Sequence, residues 1–180
     1  MFIRNKDIRS IYLLKIRAED VSSRYVDWLN DPEINQYLET RFKQQTLESV
    51  HDFVSNIIAN DNEHLYTIRT SADDIHIGNI KVGGINPLHG VGHVSLFIGD
   101  KGSWGKGYAS EAIRLISEYA FNILKLRKLS AGAYQPNIAS TKAFINVGYQ
   151  YDGTLKSHYL LQGKPCDLVQ VCLFSSQIDF

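Results

Sequence analysis

A glycine-rich segment near the middle of the chain has the residue types and spacing to hold an anion. It covers residues 99–107 (GDKGSWGKG), follows an apolar segment typical of a strand, and leads into a segment with the apolar spacing of a helix. The first turn of a helix offers free N–H groups and a partial positive charge, and glycines let the backbone approach an oxyanion closely. The sequence therefore predicts a phosphate or pyrophosphate site at this junction.

Two common phosphate-binding motifs do not match this segment. A P-loop requires Gly-x-x-x-x-Gly-Lys followed by Ser or Thr, whereas Gly105-Lys106 is followed by Gly107, and Asp100 stands where the first glycine belongs. A dinucleotide-binding fingerprint requires Gly-x-Gly-x-x-Gly in the first unit of a parallel sheet, whereas Gly105-x-Gly107 is followed by Ser110. The segment therefore belongs to neither class.

A third pattern does match. Residues 102–107 (GSWGKG) fit the acetyltransferase loop [Gln/Arg]-x-x-Gly-x-[Gly/Ala], except that Gly102 replaces Gln or Arg. Three other segments stand in family order: WLNDPE at 28–33, HIGNI at 76–80, and a late helix that starts Asn137-x-x-Ser140 and leads to Gly148-Tyr149. Through these four segments, nearly the whole chain resembles the GNAT superfamily, and within it the RimJ/RimL-like N-acetyltransferases.

This resemblance implies an α/β (α+β) GNAT fold, with one domain over residues 1–180 and a mixed, mostly antiparallel seven-stranded sheet flanked by helices. It implies transfer of an acetyl group from acetyl-CoA (coenzyme A) to a primary amine, by direct attack of the amine on the thioester. The pyrophosphate would lie on the N–H groups of residues 102–107, and the pantetheine along residues 96–98 between two splayed central strands. The residues implied in cofactor binding are Phe97, Ile98, Gly102, Ser103, Trp104, Gly105, Lys106, Gly107, Tyr108, Ala109, Asn137, Ser140 and Phe144.

Gly102, which replaces the Gln or Arg of the family pattern, leaves the loop without that polar or charged side chain. Backbone N–H groups are sufficient to hold a pyrophosphate, so we expect binding to survive without the usual Gln or Arg. Lys101 or Lys106 is expected to supply positive charge instead.

The implied reaction needs three kinds of group: a base that removes a proton from the ammonium, donors that bind the oxyanion, and an acid that protonates the departing thiolate. The resemblance implies that Ser140 is the acid, and that Asn137 binds the cofactor or an ordered water. A purely structural interpretation is also open, in which Asn137 caps the helix and Ser140 is its third residue. Both roles are compatible with each other.

The base is the least defined of these groups. Some relatives carry a glutamate on the fourth strand, where this chain has His93 and Ser95, and others carry one after the sixth strand, where it has Tyr159 next to His158. Histidines titrate near neutral pH, so His93 and His158 stay open as bases, as do Asp167 and a chain of waters. Ser140, His93 and Tyr159 are the catalytic residues that we predict.

The amine acceptor is expected to contact the N-terminal helical segment and the late strands. The residues predicted for this role are Trp28, Tyr37, Arg41 and His158. Arg41 suits a carboxylate or phosphate on the acceptor, whereas Trp28 is alternatively a core residue. The acceptor is either an amino sugar or other small molecule, or a peptide N-terminus.

The periodicity of apolar residues predicts the supporting elements. Strands are expected at 11–16, 64–69, 75–85, 91–98, 129–134, 149–155 and 168–174. Helices are expected at 21–29, 33–38, 46–60 with Thr46 as N-cap, from 108 to 124, and from Asn137 onward.

Composition limits the function classes. The 180 residues include 19 Lys and Arg against 19 Asp and Glu, and this zero net charge argues against a general nucleic-acid-binding protein. We expect no membrane span, because no apolar run is long enough, and no signal peptide. With two cysteines the chain suits the cytoplasm.

We therefore expect a cytoplasmic monomer or homodimer that acts on a small-molecule amine or a peptide N-terminus. No metal site is expected, because glycines in a turn separate His89 from His93. A catalytically silent acyl-CoA-binding sensor is the alternative, since no carboxylate stands at either expected base position.

Overall fold

The computed structural model describes residues 2–3 and 10–177 of the chain. Within these ranges, the β-strands are β1 (Phe2–Ile3), β2 (Ile11–Lys15), β3 (His64–Thr70), β4 (His76–Asn86), β5 (Val91–Ile98), β6 (Lys128–Tyr134), β7 (Gln150–Leu161) and β8 (Lys164–Phe174). The α-helices are α1 (Ser23–Asn30), α2 (Pro32–Asn35), α3 (Leu47–Ile58), α4 (Tyr108–Asn122) and α5 (Ile138–Ile145).

All of these strands join one sheet in the order β1-β2-β3-β4-β5-β6-β8-β7. Neighbours are antiparallel except β5 and β6, which run parallel and are connected through α4. The predicted mixed sheet flanked by helices is therefore confirmed, and the two-residue strand β1 extends it beyond the expected seven strands. In the described ranges, no helix is both long and apolar enough to cross a membrane.

The sheet separates two apolar layers. On one face, α4 and α5 pack against the strands in a core that includes Ile80, Ile113, Ile116, Leu129 and Phe144. On the other face, α1 and α3 cover the sheet with Tyr25, Trp28, Leu29, Val50 and Val54. Full burial of a large apolar side chain contributes about 1.5–3 kcal/mol, so both layers stabilise the sheet between them.

Element boundaries agree with prediction where local signals are strong. Thr46 is the N-cap of α3, because its hydroxyl accepts a hydrogen bond from the Ser49 N–H (3.1 Å) while the Ser49 hydroxyl accepts from the Thr46 N–H (2.9 Å). The helix predicted at 33–38 is shorter, since α2 ends at Asn35.

The last two strands are longer than predicted. β7 and β8 form a hairpin that turns at Gln162 and Gly163, both with positive φ. Its register shifts between Leu155 and Tyr159, where Ser157 also has a positive φ (51°). This bulge interrupts the alternation of inward and outward side chains. The apolar pattern that predicted the strand therefore stops before the strand itself ends.

The strands β5 and β6 diverge, as the cofactor prediction required. They pair only at Val91–Lys128, Gly92–Leu129 and His93–Ser130, although β5 continues to Ile98 and β6 to Tyr134. The splay opens the sheet between residues 94–98 and 131–134. The entrance to the helix α5 lies at the same end of β6, so Asn137 and Ser140 border the opening.

Candidate active site

Two cavities meet at the splay between β5 and β6. The loop cavity, of about 540 Å³, lies along the glycine-rich segment and the N-terminus of α4. The inner cavity, of about 500 Å³, lies under α1 and α3 and reaches β6 and β7. The residues that line both are Tyr37, Leu38, Leu96, Phe97, Asn137 and Ser140. The two cavities therefore adjoin at the gap in the sheet.

The wall of the loop cavity depends on two glycines with left-handed backbone. Gly105 has a φ of +74° and Gly107 a φ of +80°, and a Cβ built on either would have no atom within 4 Å. Both line the cavity, so a side chain at either position would add atoms to its wall. Gly107 is also the N-cap of α4 and has no side chain with which to occupy the free N–H groups of the first turn.

Polar contacts fix the loop against β5. The Ser103 hydroxyl donates to Asp100 Oδ2 (2.6 Å), and the Trp104 indole N–H donates to the Ile98 carbonyl (2.9 Å). Asp100 in turn pairs with Arg24 of α1 (3.3 Å). These contacts hold the loop in one shape, so its N–H groups are positioned before any ligand arrives.

Most of the predicted cofactor residues line the loop cavity. They are Phe97, Ile98, Ser103, Trp104, Gly105, Gly107, Tyr108, Ala109, Asn137 and Ser140. Gly102 and Lys106 are not among the lining residues, and Phe144 lines the inner cavity instead. The loop cavity is therefore bordered by ten of the thirteen residues predicted to bind the cofactor, and the binding itself stays a prediction.

The positive charge at this cavity comes from a different lysine than expected. Lys101 is engaged with Asp31 (2.8 Å) and Glu33 (2.5 Å), and the hydrogen bond to Asp31 is the main reason that its pKa is raised. Lys142 on α5, which sequence reasoning missed, lines the loop cavity. A single lysine on the polar side of a short helix gives no signal in the sequence, because only the packing of α5 beside α4 brings it to the loop.

Asn137 and Ser140 stand where the two cavities join. The Ser140 backbone N–H donates to Asn137 Oδ1 (3.2 Å), so Asn137 is the N-cap of α5 and Ser140 its third residue. The structural interpretation is therefore confirmed, and it leaves the Ser140 hydroxyl and the Asn137 Nδ2 available to the cavities. Both residues line both compartments.

One wall of the inner cavity consists of tyrosines. Tyr134 stacks on Tyr159 with ring centroids 4.6 Å apart, and the centroid of the Tyr37 ring lies 5.8 Å from that of Tyr134. The Tyr134 hydroxyl donates to Glu39 Oε1 (2.6 Å), and burial, followed by this carboxylate, raises the pKa of Tyr134. Tyr134 therefore keeps its proton and acts as a donor. Glu39 lines the cavity and was missed, since its position depends on a short 3-10 turn (Glu39–Phe42).

Arg41, predicted as an acceptor contact, lies behind this wall instead. Its guanidinium donates to Tyr134 Oη (2.7 Å) and to the carbonyls of Leu38 (2.8 Å) and Leu160 (3.0 Å). It also lies over the Phe42 ring, 4.2 Å from the centroid. Arg41 lines neither cavity, so in this structure it positions Tyr134 and Glu39 rather than facing an acceptor.

Trp28 is a core residue. It is 7% exposed, packs edge-on against His76 (5.1 Å) and lines neither cavity. A Cβ on Gly99 would come within 2.1 Å of its ring, so glycine is needed there for the indole to fit. The prediction of an acceptor contact is therefore not supported, because α1 directs this side chain into the layer beneath it.

The two predicted histidines and Asp167 also lie outside both cavity linings. His93 stands on β5 with its Nδ1 3.4 Å from Ser130 Oγ, and loss of hydration, then the charge of Lys81, lowers its pKa. His158 is exposed beside Tyr159, which does line the inner cavity. Asp167 accepts from Lys156 Nζ and Ser157 N–H, both at 2.8 Å, and these bonds lower its pKa. It is a structural carboxylate of the β7–β8 hairpin.

Residues 10–150 match a family described as an acetyltransferase (GNAT) domain. The chain therefore belongs to the GNAT acetyltransferase family, and it is an N-acetyltransferase that uses acetyl-CoA. When bound, acetyl-CoA supplies the acetyl thioester. The glycines at 105 and 107 and the open N–H groups of α4 fit its phosphate-bearing part.

Particular relatives cover nearly the whole chain. An uncharacterized N-acetyltransferase p20 from Bacillus licheniformis is 26% identical over 165 residues, which is 91% of this chain and 90% of the relative. The spermidine N(1)-acetyltransferase of Escherichia coli K12 is 24% identical over 169 residues, 93% of this chain and 88% of the relative. A solved structure of the spermidine N-acetyltransferase from Vibrio cholerae, in complex with CoA and spermine, has a TM-score of 0.83 at 19% identity and covers 93% and 97% of the two chains.

Proposed function

We propose that the chain acetylates a small primary amine held in the inner cavity, with acetyl-CoA held in the loop cavity. The observation that carries this proposal is the junction of the two cavities at Asn137 and Ser140, where the strands splay. The residues that line both cavities lie at this junction, so an amine in one cavity can reach a thioester in the other there. An inner cavity of about 500 Å³ lies within the usual size of small-molecule sites.

Each group at the junction has a defined task in this proposal. Ser140 donates its hydroxyl proton to the departing thiolate, and the Asn137 Nδ2 donates to the cofactor or to a water. Glu39 and the tyrosine faces receive the amine, which arrives as an ammonium, since a carboxylate and π-faces both attract a cation. Tyr159 belongs to this acceptor wall. Of the described residues that line the inner cavity, Glu39 alone has a carboxylate to accept the amine proton.

A small molecule fits better than a peptide N-terminus as the acceptor. Two relatives are named for spermidine, which is a small amine, and the grouping with RimJ/RimL-like enzymes stays a prediction. A polyamine carries several ammonium groups, however, whereas the inner cavity presents one carboxylate and one lysine, Lys81. We therefore favour an acceptor with fewer positive charges than spermidine.

A panel of amines tests the proposed function. Release of free CoA thiol is followed with acetyl-CoA and, in turn, spermidine, simple monoamines, amino acids, a UDP-linked amino sugar and a short peptide. We expect turnover with a small amine and none with the peptide. Binding of acetyl-CoA is measured separately by the shift in Tm, so that an inactive protein is distinguished from one that lacks cofactor.

Two results would contradict the proposal. Acetylation of the peptide alone would move the acceptor to protein N-termini. Bound acetyl-CoA without thiol release across the whole panel would favour the catalytically silent acyl-CoA sensor.

Replacing Lys142 with methionine is expected to weaken acetyl-CoA binding about three- to tenfold, because the lysine is an exposed cation at a polyanion site. Isothermal titration calorimetry measures the Kd, and the loss should shrink as salt is raised. Lys106→Met is the matched control, since Lys106 is an exposed loop lysine outside the cavity lining, and its Kd should change less than about twofold. Equal losses in the two variants would assign the effect to general charge.

A further inference from the structure

The side chain of Asn79 is a buried amide that lines the inner cavity. It stands on β4 and is 2% exposed. Its Nδ2 has no hydrogen-bond partner among the residues that the structure describes. An unpaired buried donor is unfavourable, and a ligand atom that accepts from it removes that penalty.

The orientation of this amide follows from its neighbour His76. The His76 Nε2 lies 3.0 Å from the Gly78 carbonyl oxygen and 2.9 Å from Asn79 Oδ1. A carbonyl oxygen only accepts, so Nε2 must carry a proton, and the Asn79 atom that faces it must be the oxygen. Rotating the amide would direct two donors at each other. The Nδ2 group therefore stays the unpaired end.

Lys81 adds a charge on the same face of the same strand. It stands two residues beyond Asn79 and also lines the inner cavity. Its Nζ lies 2.7 Å from Glu63 Oε2, and Glu63 is not among the lining residues. An ammonium has three protons, so Lys81 can bind a second anion while it keeps this ion pair.

The neighbouring strand continues this donor surface. Ser95 of β5 pairs in register with Lys81, and its side chain lines the same cavity. Asn79, Lys81 and Ser95 thus present an amide, an ammonium and a hydroxyl to one compartment. The same compartment is also lined by the Glu39 carboxylate and the tyrosines. The cavity therefore offers one negative and one positive site, with an unpaired donor beside the positive one.

We propose that Asn79 and Lys81, with Ser95, bind a carboxylate on the acceptor, so that the substrate class is an amino acid or a similar amine that also bears a carboxylate. This inference rests on the proposed function and specifies its acceptor. A carboxylate accepts hydrogen bonds from both the Asn79 amide and the Lys81 ammonium. Lys81 thereby takes the role that the sequence assigned to Arg41, whose guanidinium is already bonded to Tyr134, Leu38 and Leu160.

Matched pairs of amines test this proposal. Each pair differs only in the carboxylate, as in leucine against 3-methylbutylamine and 5-aminopentanoate against pentylamine, with leucinamide as a neutral third member. We expect kcat/KM to be about tenfold or more higher for the carboxylate-bearing member, mainly through a lower KM. Only that member can accept hydrogen bonds on a charged group from Asn79 and Lys81. Equal values within each pair, or equal values for leucine and leucinamide, would overturn the proposal while the acetyltransferase function stands.

Variants test whether the preference for a carboxylate depends on Lys81 and Asn79. Lys81→Met and Asn79→Leu should each reduce the ratio of kcat/KM within a pair by about tenfold. Because Lys81→Met leaves Glu63 without its partner, the double variant Lys81→Met/Glu63→Gln repeats the test in a balanced background. Lys128→Met is the control, since this lysine pairs with Asp152 (2.7 Å) at the paired end of β5 and β6, lines neither cavity and should leave the ratio unchanged.

A binding measurement distinguishes failure of the carboxylate site from failure of the proposed function. Saturation-transfer NMR with CoA present compares N-acetyl-leucine with N-acetyl-leucinamide as product-like probes. Preference for the carboxylate that is lost in Lys81→Met supports the proposal even if no amine on the panel is turned over, in which case it is the proposed function that fails. Equal binding of the two probes, or a preference retained in Lys81→Met, would overturn the carboxylate site.

Discussion

Gly107→Val is expected to abolish the rise in Tm that acetyl-CoA produces in the parent protein. At a hundred times its Kd, a ligand stabilises the folded state by about 2.7 kcal/mol, which for a chain of this size corresponds to roughly 5–10 °C. Gly107 lines the loop cavity and is the N-cap of α4, so a valine there would add a branched side chain beside the open N–H groups of that helix. The measurement is thermal unfolding with and without acetyl-CoA.

The substitution also strains the backbone, so it needs a matched control. A non-glycine residue at the φ of +80° costs about 1–2 kcal/mol, which lowers Tm whether or not ligand is present. Gly163 has a similar φ of +77°, open surroundings and a position outside both cavity linings, at the turn between β7 and β8. Gly163→Val should therefore lose similar stability and keep the full acetyl-CoA shift. A retained shift in Gly107→Val would place the cofactor elsewhere.

Ser140→Ala is expected to lower kcat by about a hundredfold while the Kd for acetyl-CoA changes little. A positioned proton donor contributes about 10²–10⁴ to the rate, and the hydroxyl is the group that the variant removes. The helix should keep its stability, because Ser140 contributes its backbone N–H, not its hydroxyl, to the Asn137 cap. Steady-state kinetics with the best amine of the panel and calorimetric titration with acetyl-CoA give the two quantities.

Thr141→Ala is the control for Ser140→Ala. Thr141 is the next hydroxyl residue of α5 and lines neither cavity, and its hydroxyl has a weak contact (3.5 Å) with the Asn137 carbonyl. We expect kcat of this variant to stay within about twofold of the parent protein, as for a surface change away from the site. If Ser140→Ala were equally active, Ser140 would be only the third residue of a capped helix.

The loop site was predictable because its determinants are contiguous in the chain. Strand β5, the glycines and α4 follow one another within residues 91–122, so the anion site needs little more than local folding. The same holds for Asn137 and Ser140, since an N-cap bond spans three residues. Strand and helix periodicity likewise predicted the supporting elements, because each pattern records which face is buried.

The acceptor side was not predictable in this way. Arg41 is bonded to Tyr134 and Leu160, which lie 93 and 119 residues further along the chain, and this long-range contact turns it away from an acceptor. The bulge at Ser157 decides that Tyr159 rather than His158 lines the cavity. The position of a bulge cannot be predicted from the alternation of apolar and polar residues along a strand. Glu39 comes from the 3-10 turn after α2, whereas Asn79 and Lys81 come from β4, and the two groups share a cavity only after the helices cover the sheet.

Because the loop offers backbone groups to a ligand, most of its side chains can change over evolutionary time. An N–H group is present in every residue but proline, so the proposed anion site requires glycine only at 105 and 107, where φ is positive. Positions such as Gly102 and Lys106, which lie outside the lining, are free to accept other side chains. The inner cavity, which we propose binds the acceptor, is lined by individual side chains, so a substitution there changes the groups that the acceptor meets. Divergence at the inner cavity can therefore create new substrate preferences while the cofactor site persists.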